Sequence, residues 1–250
     1  VVYSYLLNSH GRVLFDIFLY KLNDDDVLLE VDKSSQQSLI KLLNFYKLRR
    51  SVEIRESSLV ACVAPEPQTS ALVQDIDPRL AELGHKIVFE KPPSKAETTE
   101  DAYRELRYWF GVPEGTADLG VGKTIPLECN GDYLKAISFE KGCYIGQELT
   151  ARAYHTGVVR KRFMPLKFNQ ALDGFKAGND SAVINEKNAK VGVLKAAQGV
   201  RGLGLMRIKE SIEAGTLKTS KGATGTQVEL SVAIPTWWPK NRWRISFNIS

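Results

Sequence analysis

The chain opens on apolar positions that alternate with polar ones. Val1–Leu6 reads as a strand, His10-Gly11 as a turn and Val13–Leu19 as a returning strand, which together make a hairpin. Asn23–Asp26 is a polar turn, and Val27–Val31 a third strand. From Ser34 to Arg49 the period changes. Leu39, Leu42, Leu43 and Tyr46 recur at three- and four-residue steps, so a helix is predicted, capped by Ser34 or Ser35 and ending in cations. Val52–Arg55, Leu59–Val63 and Lys86–Glu90 follow as short strands, with a break at Pro65–Pro67 and a surface loop at residues 91–95. A second helix runs from a cap at Thr99 to Phe110, with Tyr103, Leu106 and Phe110 on one face and Gly111 and Pro113 as its stop.

Beyond Val158 helical periodicity fades. Arg162–Phe168, Ala182–Ile184, Val191–Leu194, Gly202–Met206 and Val228–Ala233 are short apolar runs separated by Gly, Asn and Lys. That spacing predicts an antiparallel barrel or sandwich. The expected division is residues 1–157 as an α+β domain and 158–250 as the β domain.

Charge sharpens this division. Residues 1–148 carry a net charge of −6 and residues 149–250 a net charge of +11, although the whole chain is only +5. The two parts therefore present different surfaces, and the second is basic either for solubility or to meet an anionic ligand or partner. Arg152, Arg160, Lys161, Arg162 and Lys167 form an acid-free basic stretch, but aromatic residues are sparse there, so RNA is not the expected partner. No run of eighteen apolar residues occurs, so no membrane partner is expected either.

Candidate chemistry is sparse. Three widely spaced cysteines, Cys62, Cys129 and Cys143, make no disulfide framework and suggest a reducing compartment. With His10, His85 and His155 equally scattered, no closed four-ligand zinc set is readable. Cys62 sits among Val and Ala and reads as a core thiol. Cys129 lies in a loop beside Glu128.

Cys143 follows a glycine and precedes a helix predicted from Cys143 to about Tyr154. A thiol in a first helical turn, near Lys141, favours the thiolate, which is the form that binds soft metals. Gln147 would share its face. The residues alone equally allow a small buried cysteine in a helix–sheet contact. His155 is twelve residues on, roughly 15 Å along a helix, too far for a Cys–His dyad. Arg12 and Asp16, four apart on one strand, share a face and read as a partly exposed ion pair. Trp237-Trp238-Pro239, with Arg242, Trp243 and Arg244, reads as a plug closing the barrel or as a partner surface.

Lys141-Gly142-Cys143-Tyr144-Ile145-Gly146-Gln147-Glu148 resembles, over all eight positions, the K-G-C-Y-x-G-Q-E signature of the YgfZ-type family of folate-binding, aminomethyltransferase-like proteins. Leu7–Asp16 resembles the family's early L-x-x-x-G-R-x-x-x-D hairpin. Gly111–Gly115 and Ile125–Asn130 sit where its G-x-P and P-x-E-x-N loops fall. The likeness spans the chain and is strongest to the mitochondrial branch, which assists late [4Fe–4S] cluster assembly.

The resemblance implies a duplicated ferredoxin-like α+β domain followed by a β-barrel. It also implies a non-catalytic assembly factor of the mitochondrial matrix, monomeric alone. Cys143 would be its ligand to a [2Fe–2S] cluster shared with an A-type carrier protein. A pocket involving Arg12, Asp16 and Arg152 is implied as well, with tetrahydrofolate as its doubtful occupant. Family members begin several dozen residues earlier, so the expectation is a processed or shortened form. The rival readings are a folate-dependent aminomethyl transferase, although such enzymes carry an acidic residue in place of Cys143, and a folate- or tRNA-linked binding module without chemistry of its own.

Overall fold

A computed structural model describes residues 1–91, 100–155, 157, 159–172, 175, 180–221 and 226–240. The expected cap at Thr99, the loop at 92–95 and the residues Arg242, Trp243 and Arg244 lie outside them.

The first hairpin forms as the alternation predicts. Strand β1 (Val2–Leu7) pairs antiparallel with β2 (Val13–Lys21), and β2 with β3 (Val27–Glu30), giving a sheet in the order β1-β2-β3. Helix α1 (Gln36–Tyr46) follows a short 3-10 turn. Asp32 caps that turn, its carboxylate accepting from the Ser34 N–H at 2.9 Å, and Ser35 holds the N-cap position of α1 as expected but makes no side-chain capping bond. The helix stops three residues earlier than expected. Leu48 takes a left-handed conformation (φ 50°), which a right-handed helix cannot continue through.

The second sheet, in the order β4-β6-β5, is made by β4 (Val60–Ala64), β5 (Val73–Ile76) and β6 (His85–Phe89). The strand expected at Val52–Arg55 does not form. Its alternation is right, but no backbone among the described residues pairs with it as a strand, and most of it is exposed. Strand β5 was not expected, because its polar residues Gln74 and Asp75 hide the alternation.

Two helices then lead toward the barrel: α2 (Glu100–Phe110), ending at Gly111 as expected, and α3 (Gly115–Leu119), too short to show periodicity. A Cβ at Gly111 would lie 2.6 Å from Pro165 Cδ, so this glycine lets α2 meet the barrel wall at contact distance. Helix α4 (Gln147–His155) precedes the barrel.

The barrel is closed, with six strands in the order β10-β7-β12-β11-β8-β9. They are β7 (Lys161–Phe168), β8 (Ser181–Asn185), β9 (Lys190–Gln198), β10 (Arg201–Arg207), β11 (Leu217–Lys221) and β12 (Thr226–Val232), with a short helix α5 (Ile208–Ile212) after β10. All five expected runs are strands, and β11 is added. Closure removes the free edges that a sandwich would leave. Met164, Leu166, Val183, Leu194, Met206 and Val228 fill the interior, with Trp238 packed among them at 3% exposure. Trp238 is therefore the plug the sequence suggested, and Trp237 donates its indole N–H to the Phe110 carbonyl at 2.8 Å, tying the plug to α2.

Arg162 joins the two parts. Though it belongs to the basic stretch, it is buried. It donates to the Leu127 carbonyl at 2.8 Å and to both Asp132 oxygens at 2.7 and 2.9 Å, and lies 4.0 Å from the Tyr133 ring centre. A buried guanidinium so engaged is unavailable to an external polyanion.

Candidate functional site: an exposed cysteine on a glycine-locked turn

The helix expected at Cys143 starts four residues later, at Gln147. Gly146 explains the shift, since its φ of 77° lies in the left-handed region and helical geometry can begin only after it. Cys143 is consequently in irregular backbone, exposed, and not in a first helical turn. The helix-dipole argument for its thiolate loses its geometric basis. The alternative of a buried packing cysteine is excluded as well.

The turn is nonetheless built. The Gln147 side chain reaches back and accepts from the Tyr144 N–H at 3.3 Å, so Gln147 braces the turn and does not share a helical face with Cys143. Lys141 Nζ sits 4.6 Å from the Tyr144 ring centre. Partial burial raises the Tyr144 phenol above its ordinary value. Phe139 stacks on Tyr154 of α4, with ring centres 3.8 Å apart, which ties the entering strand of chain to the helix.

A second loop holds this turn from below. Asn8 closes the β1–β2 hairpin: its side-chain oxygen accepts from the His10 and Arg12 N–H groups, each at 3.0 Å. Gly11, at φ 74°, then lies directly against Gly146. A Cβ on Gly146 would fall 2.5 Å from the Asn8 carbonyl oxygen and 2.7 Å from Gly11 Cα. A Cβ on Gly11 would fall 2.7 Å from the Gly146 oxygen. The two sequence motifs, one near residue 10 and one near residue 145, are thus halves of one backbone-to-backbone contact that only glycine permits.

A Gly146→Ala substitution combines the left-handed penalty with this clash, and should cost about 1–3 kcal/mol or more. The melting temperature should fall by at least roughly 3 °C, with Cys143 displaced. Thermal melts beside cysteine-accessibility measurements check both parts.

The other two cysteines are poor candidates. Cys129 is wholly buried, and burial pushes its thiol far above the usual range. Cys62, on β4, is half-buried and not in the core; burial also raises it, with Glu30 adding to the shift. Cys143 should therefore be alkylated first at near-neutral pH, read residue by residue by mass spectrometry. Earlier modification of Cys62 or Cys129 would contradict this placement. Among the described residues, no three His, Cys, Asp or Glu side chains come together as a metal site.

The suggested pocket residues do not converge. Arg12 is outside β2 and donates to the Lys123 carbonyl at 2.6 Å. Arg152 is exposed on α4, 3.2 Å from Glu148. Asp16 is buried and accepts from the Gly115 N–H at 3.0 Å and the Tyr3 hydroxyl at 3.2 Å. The expected Arg12–Asp16 ion pair does not form, because the strand begins only at Val13 and Arg12 turns toward the loop ahead of it.

Asp16 instead borders a cavity of about 570 Å³, lined also by Glu30, Asp32, Arg107, Glu114 and Asp118. These carboxylates are committed within the chain. Asp118 accepts from Arg107 at 2.7 Å and Glu30 from Lys86 at 2.5 Å, while Glu114 accepts from the Tyr103 hydroxyl at 2.9 Å and pairs with the Arg79 guanidinium 2.7 Å away. Asp32 accepts from the Thr116 N–H and hydroxyl at 3.2 and 3.0 Å.

Burial alone would raise Glu114, but Arg79, Lys86 and Arg107 hold it well below the usual carboxylate range. Asp16 goes the other way. Burial and the nearby Glu114 charge raise it from 3.8 to about 6, although the Gly115 N–H opposes them. The folded state thus holds the Asp16 proton more tightly than the unfolded chain does. The Asp16 contribution is therefore most favourable below about pH 4 and declines as pH rises toward 6, by up to about 3 kcal/mol. Comparing wild type with Asp16→Asn by urea unfolding between pH 4 and 7 isolates this. The difference in stability should change across that window and stay level above it.

Folate does not fit the ground beside the motif. The pocket between Tyr5, Ala136, Lys141, Tyr144 and Thr150 holds only about 30 Å³, whereas ligand pockets run to about 300 Å³ or more. In the large cavity, each lining carboxylate named above already accepts from a group of this chain, so a pterin amidine would have to share it. No step through folate follows from this arrangement.

An α+β body that carries the motif, followed by a closed six-stranded barrel, is an aminomethyltransferase-like fold. The chain matches the solved glycine cleavage system aminomethyltransferase T from Bartonella henselae with a TM-score of 0.66, over 94% of this chain and 75% of that one; at 16% identity the likeness is one of fold. Residues 160–240 match the family model described as the CAF17 C-terminal beta-barrel domain.

The nearer relatives are the mitochondrial iron-sulfur cluster assembly factors IBA57 of Homo sapiens and Mus musculus. The human protein is 36% identical over 261 residues and the mouse protein 35% over 264, each match covering 95% of this chain and 72% of the relative. The chain belongs to the IBA57 family of iron-sulfur cluster assembly factors.

Proposed function

We propose that this protein assists iron–sulfur cluster assembly in the mitochondrial matrix by offering Cys143 as one ligand to a [2Fe–2S] cluster held jointly with an A-type carrier, on the way to [4Fe–4S] proteins. The carrying observation is that, of three cysteines, only Cys143 is exposed, on a turn anchored at Gly146 by close backbone contact with Gly11 and Asn8. Cluster iron takes thiolate ligands, and a [2Fe–2S] centre needs four. One accessible thiol supplies one of them, so the others come from a partner. The names of the relatives in Homo sapiens and Mus musculus support the assembly role and the mitochondrion.

The cluster is cargo here, and the chain acts by presenting a ligand. The positive barrel half favours a carrier with an acidic face, whose association should weaken as salt rises. Anaerobic mixing of the chain, the carrier, iron and sulfide tests this. Charge-transfer absorbance should exceed that of either protein alone. An unchanged spectrum on mixing would contradict the proposal.

A further inference from the structure

Among the large apolar side chains that stand exposed, four fall within eight residues at the end of α1. Phe45 is 71% exposed, Tyr46 48%, Leu48 81% and Val52 51%. The turn that presents them is ordered. Lys47 caps α1 through its N–H to the Leu43 carbonyl at 2.9 Å, Arg50 N–H bonds the Lys47 carbonyl at 3.0 Å, and Lys47 Nζ donates to the Val52 carbonyl at 3.0 Å. The Phe45 and Tyr46 rings meet edge-on at 5.1 Å. The left-handed Leu48 stands at the tip, a conformation a branched side chain adopts only under constraint.

The charge around this tip is one-sided. From Lys41 to Val52 the chain carries four basic residues and no acid, within a half whose net charge is −6. The inner face of α1, through Leu39, Leu42 and Leu43, is spent on packing against Phe15 and Ile17, so the outward side is what remains. The acids just beyond have partners of their own: Glu53 is 3.9 Å from Arg55, and Glu56 meets Gln37.

We infer that this tip is a peripheral docking surface for an anionic phospholipid membrane. Leu48 and Phe45 enter the headgroup boundary, and Lys41, Lys47, Arg49 and Arg50 meet the lipid phosphates. Exposed apolar groups ringed by Lys and Arg are the composition that partitions into such an interface, and each cation near an anionic surface strengthens binding. The chain spans nothing, since among the described residues no helix is long and apolar enough to cross a membrane. The expectation of no membrane partner rested on the lack of an eighteen-residue apolar run, which bears on spanning and not on peripheral contact.

Flotation with vesicles of phosphatidylcholine, with and without an anionic phospholipid, tests the inference. The chain should float with anionic vesicles only, and less so as salt rises. Arg49→Gln with Arg50→Gln should weaken binding by about 25-fold, roughly fivefold per cation. Leu48→Ser should weaken it with the salt dependence kept. Melting temperatures of all variants should match wild type, because these side chains are solvent-facing.

Equal binding to neutral vesicles, no flotation at low salt, or variants that float like wild type would overturn the inference. So would a dimer in light scattering that Leu48→Ser dissociates, or RNA binding without vesicle binding.

Discussion

Replacing Cys143 by serine should abolish the cluster shared with a carrier and leave the protein's melting temperature essentially where it was. The two halves of this expectation have separate causes. Serine keeps the size of the side chain but removes the thiolate, and a hydroxyl is a poor ligand for cluster iron. Cys143 is exposed, and changes at such positions usually shift stability by about 0.5 kcal/mol or less. The charge-transfer absorbance of the mixture should fall to the level of the carrier alone, a loss of the whole signal. Cys62→Ser and Cys129→Ser serve as controls. The first should retain the shared cluster, and so should any folded fraction of the second. A Cys143→Ser mixture with full cluster occupancy would remove Cys143 from the account.

The largest effect on stability should come from Arg162→Met. The substitution leaves Asp132 buried, with a side-chain exposure of 4% and its partner gone, and strips a donor from the Leu127 carbonyl. Breaking a buried pair on one side costs about 3–5 kcal/mol, because an uncompensated charge stays behind. For a chain of this size that is a fall of roughly 6–20 °C in melting temperature. The methionine fills much of the space against Tyr133 and Trp238, so the loss reports charge more than volume. Pairing it with Asp132→Leu should return part of the stability, because the stranded carboxylate is then gone too. If the double variant is less stable than Arg162→Met alone, the explanation by a stranded charge fails. Differential scanning calorimetry of the two variants decides the matter.

The sequence was legible where periodicity was local. The opening hairpin, α1, α2 and five of the six barrel strands follow from apolar spacing, and β11 was lost because its alternation, Leu217-Lys218-Thr219-Ser220, carries one large apolar residue. Where partners decide, the pattern misled. Val52–Arg55 alternates like a strand but finds nothing to pair with, whereas Gln74 and Asp75 sit in a strand because β6 is beside them.

The candidate site was legible as a motif and misread as geometry. Lys-Gly-Cys-Tyr points to Cys143, but the spacing alone starts the helix four residues early, because it carries the helix through Gly146. Its left-handed backbone became visible only with Gly11 against it. A glycine followed by Gln-Glu was the available signal, since glycine before a helix often marks the turn that precedes it. The buried ion network of Arg79, Arg107 and Glu114 had no sequence signature at all. Its members lie up to 35 positions apart and look individually like surface charges.

The central claim is that one thiol of this chain and thiols of a carrier hold one cluster together. Native mass spectrometry of the anaerobically reconstituted mixture tests it most directly. The account predicts a species with the mass of one chain, one carrier and one [2Fe–2S] unit, absent when Cys143→Ser replaces the wild type. A cluster found only on carrier homo-oligomers, with this chain free beside them, would contradict it.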